Sequence, residues 1–178
     1  MDAHTITAIC VLVVFVFATG LAVWSAATQR KHLRLSVRPI ATVPVADFEH
    51  KVAVYLANKG LGPMKIKTLR VADNSGKKHD NVLSHMPELK KDILWSNFYD
   101  SVDGATLENG KRFELLLLEG DPNDLEFQEY RDDVRRSLKN LSIRIDYEDL
   151  YGIRMGPVEE KLSFFGRHET DTRKYKNR

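Results

Sequence analysis

The chain has 178 residues and a formal charge of +2, unevenly placed: Arg30, Lys31, Arg34 and Arg38 give +4, residues 167–178 give +3, and residues 39–166 sum to −4. An acidic body with basic ends argues against a nucleic-acid-binding domain, whose basic residues would form a patch on the fold itself. The single cysteine, Cys10, leaves no intramolecular disulfide and no cysteine-based zinc site, and it fits a reducing compartment.

From Ala3 to Gln29 there is no Asp, Glu, Lys or Arg. A helix rises about 1.5 Å per residue, so ~20 apolar residues cross a ~30 Å hydrocarbon core. Ile6 to Trp24 is long enough, and a transmembrane helix is expected over 6–28, after a short N-terminus at 1–5. Trp24 suits the interface, where its indole N–H stays wet. A core helix of a soluble domain is excluded, because the segment has no polar face. A cleavable signal peptide is the alternative: Ser25-Ala26-Ala27 offers a cleavage site, but no basic residue precedes the apolar run. Ala18 and Ala22 form a small-xxx-small pair, which allows helix pairing into a homo-oligomer. The basic cluster Arg30, Lys31, Arg34 and Arg38 follows the run. By the positive-inside rule it puts the N-terminus outside and the rest in the cytoplasm, at an inner plasma membrane. The same cations can rest on anionic headgroups, at about 1 kcal/mol each.

Beyond the span, Leu33–Val37 alternates and predicts a first strand within a basic juxtamembrane segment, 29–38. A domain is expected over 39–166. Pro44 confines 41–46 to an edge. Lys51–Ala57 is a strand with Val52, Val54 and Leu56 on one face. In the strand from Met64 to Val71, Met64 and Ile66 share a face, the alternation slips at Thr68–Leu69, and a bulge would return Leu69 and Val71 to the core. Between these strands, Leu56-Ala-Asn-Lys-Gly-Leu-Gly-Pro-Met64 makes a corner. Asn58–Gly60 and Gly62 are expected to supply positive-φ turns and Pro63 to stiffen the exit. A phosphate loop is excluded, since no Gly-Lys-Ser/Thr follows and the next element is a strand.

Residues 73–80 read as a polar turn. Val82, Met86, Leu89 and Ile93 recur at helical spacing and predict a short helix from Ser84 or Pro87 to Trp95. A loop with a short strand follows at 101–110. Leu115–Leu118 predicts a strand buried on both faces, one of them under a helix. Residues 122–140 form the clearest helix: a capping-box-like start at Asn123 and Glu126, a stripe of Phe127, Tyr130, Val134 and Leu138, and an Asp132–Arg136 pair. Leu141, Ile143, Ile145 and Tyr147 alternate inward along a strand, and 152–165 completes the sheet less regularly. The tail, 167–178, has no apolar periodicity and reads as a basic disordered segment.

Leu-Ser-Val-Arg-Pro at 35–39, Asn-Lys-Gly-Leu-Gly-Pro at 58–63 and Tyr-Glu-Asp-Leu-Tyr-Gly at 147–152 resemble a loose group of uncharacterised small bacterial proteins. These carry one N-terminal membrane helix and an immunoglobulin-like β-sandwich. In that group a small residue tends to follow the proline, where this chain has Met64. The resemblance implies a mainly β fold, a single span followed by an immunoglobulin-like sandwich with one or two inserted helices. It implies no catalytic residue. The periodicity leaves an α+β sheet as the alternative.

No constellation carries an obvious chemistry. Asp121, Asn123, Asp124 and Glu126 lack the ligand order of an EF-hand, and a helix start explains them. His79, Asp80 and His85 have no metal-ligand spacing. No nucleophile elbow occurs. Asn140-Leu141-Ser142 matches a glycosylation sequon, but it sits in an expected strand on the cytoplasmic side. No cofactor or metal is expected. The leading expectation is a membrane-anchored interaction module with a protein partner, offered by loops 58–63 and 100–110 or by an edge strand. The alternatives are a membrane-surface enzyme assembled from Asp100, Asp103, His79 and His85, and a lipid- or nucleic-acid-contacting protein. The last would use the basic flanks, including Arg173, Lys174, Lys176 and Arg178.

Overall fold

The structure, a computed structural model, describes residues 2–89 and 93–167. The chain divides between Arg38 and Pro39 into two compact units.

The first unit is one helix, α1 (Ala3–Ser36), of 34 residues. Its stretch Ala3–Leu33 is long and apolar enough to cross a membrane. Its hydroxyls turn onto its own backbone: Thr7, Thr19 and Thr28 donate to the carbonyls of Ala3, Phe15 and Trp24 at 3.0, 2.8 and 2.9 Å. Each such bond satisfies a hydroxyl within the helix itself. The strand expected at 33–37 is instead the last helical turn, since α1 runs to Ser36. Extending an existing helix avoids the nucleation cost, and Gln29, Arg30, Lys31 and Arg34 are good helix formers. Pro39, two residues past the C-cap Val37, bars continuation.

The second unit holds β1 (Ala41–Thr42), β2 (Val45–Phe48), β3 (Lys51–Asn58), β4 (Met64–Asp73), β5 (Lys78–His79), β6 (Asn97–Phe98), β7 (Thr106–Leu107), β8 (Arg112–Glu119), α2 (Leu125–Leu138), β9 (Leu141–Glu148) and β10 (Val158–Lys161). These form two antiparallel sheets. One runs β1-β3-β8-β6 with β2 also on β3. The other runs β10-β9-β4-β5 with β7 also on β4. A single core takes Val52, Val54 and Leu56 from β3, Leu116 and Leu118 from β8, Ile66, Leu69 and Val71 from β4, Ile143 and Ile145 from β9, and the stripe of α2. The domain is β-rich with a helix.

Pro44 splits the edge as expected: β1 and β2 lie on either side of it, both paired with β3. The β4–β9 register shifts between Ile66 and Thr68, and Leu69 and Val71 are buried, so the slip in alternation is a bulge. A second shift, at Val54/Tyr55 of the β3–β8 pair, puts both Leu115 and Leu116 into the main core. Only Leu117 of that run joins Ala53 and Tyr55 on the outer face, where the Arg112 guanidinium lies 4.1 Å over the Tyr55 ring. The buried stripe of α2 belongs to the main core, so the helix expected to cover this outer face does not do so.

The helix expected between Ser84 and Trp95 is reduced to a 3₁₀ turn, Leu83–His85, and 86–89 and 93–95 are non-helical; residues 90–92 lie outside the described residues. Pro87 holds Met86 extended, at φ −85° and ψ 155°. Val82 and Ile93 still reach the core. Helix α2 is capped by Asp124, whose carboxylate accepts from Glu126 N–H at 2.9 Å, one residue later than expected. Asp132 pairs with Arg135 at 2.8 Å, and Arg136 pairs with Asp133. The Tyr130 hydroxyl donates to the Pro87 carbonyl at 3.1 Å, and burial pushes its pKa up to about 12.

Candidate interaction surface

The corner at 58–63 is built around one side chain. Asn58 is fully buried. Its Oδ1 accepts from Ile40 N–H at 3.2 Å and Gly60 N–H at 3.0 Å, and its Nδ2 donates to the carbonyls of Gly62 at 2.7 Å and Leu107 at 3.1 Å. A carboxamide has two donors and a carbonyl with two lone pairs, and all four are used. Gly60 and Gly62 do not adopt the positive φ expected of them. Asn58 shapes the turn through hydrogen bonds instead, so Gly60, Gly62 and Pro63 serve a structural corner.

Strand register shows what shares that end. Ala41 pairs with Asn58, Ala57 with Arg112, and Lys65 with both Thr106 and Glu148. The chain entry at 39–40, the corner, the turn at 108–111 and the turn at 149–153 therefore cluster at one end. Lys59 N–H donates to Ile40 O at 2.8 Å, and Asn58 N–H to Lys111 O at 3.1 Å, which ties three of them together. The fourth is stiffened by Asp149, whose buried carboxylate accepts from Tyr151 and Ile153 N–H at 2.9 and 2.8 Å. Gly110 and Gly152 have φ of +70° and +76°, which lets both turns close tightly.

With their backbones so held, these segments expose apolar side chains. Ile40 is 51% exposed, Leu61 68%, Leu150 70%, Tyr151 56% and Ile153 45%. Exposed cations Lys59, Lys111 and Arg112 lie among them, against the single exposed carboxylate Glu108. Glu148 is spent on Lys65 and Lys67, each at 3.5 Å. Sequence reasoning offered loop 58–63 as a contact without singling out Leu61, and used 147–152 only for the resemblance. The signal was there: Leu150 and Tyr151 are large apolar residues immediately before a glycine, in a position where turns are ordinarily polar.

Asp100 and Asp103 each have their own hydrogen-bond partners, and His79 and His85 meet each other. Asp103 accepts from Leu69 N–H at 2.8 Å and from Arg70 at 3.0 Å, and Asp100 from Asn81 at 2.8 Å. The rings of His79 and His85 meet edge to face, 4.7 Å apart, with both Nε2 atoms buried. Among the described residues no three His, Cys, Asp or Glu side chains gather as metal ligands. Sequence reasoning also missed a buried ion cluster. Asp47 contacts Arg135 at 2.6 Å and Arg167 on its other oxygen, and it fastens the start of the domain to α2 and to the end of the described chain.

Trp24, Arg30, Lys31 and Arg34 lie on α1 and Arg38 just past it. Arg173, Lys174, Lys176 and Arg178 fall outside the described residues. Neither the family models nor the curated proteins contain a match to this chain.

Proposed function

We propose that the chain is a single-pass, membrane-anchored interaction module. Its N-terminus lies outside, α1 crosses the inner membrane of a bacterial cell, and an immunoglobulin-like β-sandwich engages a protein partner at the cytoplasmic surface. One observation carries this reading. The apolar stretch of α1 is bare on every side, with none of its most hydrophobic window buried. So much apolar surface needs lipid or protein to cover it. Arg30, Lys31, Arg34 and Arg38 support the orientation.

Strand order supports the sandwich. Taking β1/β2 as strand A, β3 as B, β4 as C, β5 as C′, β6 as D, β8 as E, β9 as F and β10 as G, the two sheets read A-B-E-D and G-F-C-C′. That order resembles the immunoglobulin arrangement, with β7, which pairs with β4, added between D and E and α2 between E and F. The sequence resemblance implies the same fold.

Reporters active on only one side of the membrane, fused after Arg178, test the topology. A cytoplasmic C-terminus is expected, and an external one overturns the orientation. An N-terminal tag on the same protein separates the cleavage alternative, which requires the tag to be lost after Ala27.

A further inference from the structure

Five exposed apolar side chains at one end of the domain need an occupant. Three features favour a lipid surface over a protein. First, the chain enters the domain at this end: Ile40 N–H donates to Asn58 Oδ1, and Ile40 O accepts from Lys59 N–H. Second, charge is asymmetric along the strands. This end carries Lys59, Lys111 and Arg112, while the opposite end, around the β8 terminus and the start of α2, exposes Glu49, Asp121, Asp124 and Glu126, with Glu119 paired to Lys51 at 2.7 Å. An anionic bilayer attracts the first end and repels the second. Third, the side chains stand on short, hydrogen-bonded turns, and an aliphatic pair with a tyrosine suits the headgroup boundary, where the ring is buried and the hydroxyl stays wet.

We infer that the end of the domain formed by residues 40, 59–63, 108–112 and 149–153 rests on an anionic membrane surface, with Leu61, Leu150, Tyr151 and Ile153 dipping into the interfacial zone. This rests on the reading of α1 as a membrane span. It leaves the acidic far end facing the cytosol, where a partner would bind.

The test uses the full chain with Cys10→Ala. A single cysteine replaces Leu61, Tyr151 or, as the far-end control, Asn123, and each carries a fluorophore. All three positions are exposed, so labelling leaves the core untouched. The proteins are reconstituted into vesicles of equal parts phosphatidylglycerol and phosphatidylcholine, containing headgroup-level spin-labelled lipid. Several-fold stronger quenching at positions 61 and 151 than at 123 is expected. Equal, weak quenching at all three in protein that resists alkaline extraction overturns the docking and leaves the span standing. That result would give the apolar end to a protein or a second copy. Protein released from the vesicles by alkaline extraction overturns the span and the docking with it.

Discussion

At the residue scale, His85 shows how burial becomes a pH response. Desolvation first, and then the neighbouring His79, hold its pKa below the ordinary value of 6.5, while a hydrogen bond to the Val71 backbone opposes them. The unfolded chain therefore binds this proton more readily than the folded one. The contribution is fully present above about 6.5 and is lost as pH falls from there towards the lowered folded value. Thermal melts should show a lower midpoint at pH about 5.5 than at about 7.5, and His85→Gln should shrink that difference. An unchanged difference in the variant would assign the response to other groups. Asn58 makes the complementary point. A glycine-rich corner suggests backbone freedom, but the corner is fixed by four hydrogen bonds from a buried carboxamide.

At the element scale, the junction of β8 and α2 is as tight as the corner. A Cβ at Gly120 would overlap the ring of Phe127, which is 3% exposed and has nowhere to turn. Gly120 does not have a positive φ, so the demand is for space. Gly120→Ala should cost about 1–3 kcal/mol, read by denaturant unfolding of the full chain. A change near zero would mean that the ring shifts freely.

Much at this scale was legible in the sequence. The apolar stripe marked α2, strict alternation marked β9, and the break at Thr68–Leu69 marked a bulge. What failed did so where local signals compete with context. Leu33–Val37 alternates like a strand but follows a helix already formed. Val82 to Ile93 repeats at helical spacing, yet the proline inside it holds Met86 extended, and the buried residues Val82 and Ile93 are reached by irregular chain. Leu115–Leu118 is buried throughout, as its unbroken apolar run suggested, but a bulge that is invisible without the partner strand puts three of the four leucines into the main core, and α2 does not cover the other face. The apolar end of the domain was illegible for a related reason: the chain entry and three turns, far apart in sequence, meet only through strand register.

At the scale of the whole molecule, the hydrophobic core of the second unit begins, among the described residues, at Ala41, with Pro39 buried just before it. A fragment beginning at Pro39 should therefore fold and melt within a few degrees of the full chain, as followed by near-ultraviolet circular dichroism. A fragment lacking fixed aromatic signals would show that α1 contributes to the fold. The sheet borders carry a further consequence. Among the described residues every border is short, interrupted or charged: β5 and β6 have two residues each, Pro44 parts β1 from β2, and β10 exposes Glu159, Glu160 and Lys161. Molecules confined to a plane jostle their neighbours sideways far more often than molecules in a volume, and an open ladder would let such collisions seed ribbons. Borders this short or charged among the described residues would let copies crowd at high density without polymerising. On the proposed reading, a partner would be gripped by side chains rather than by an added strand.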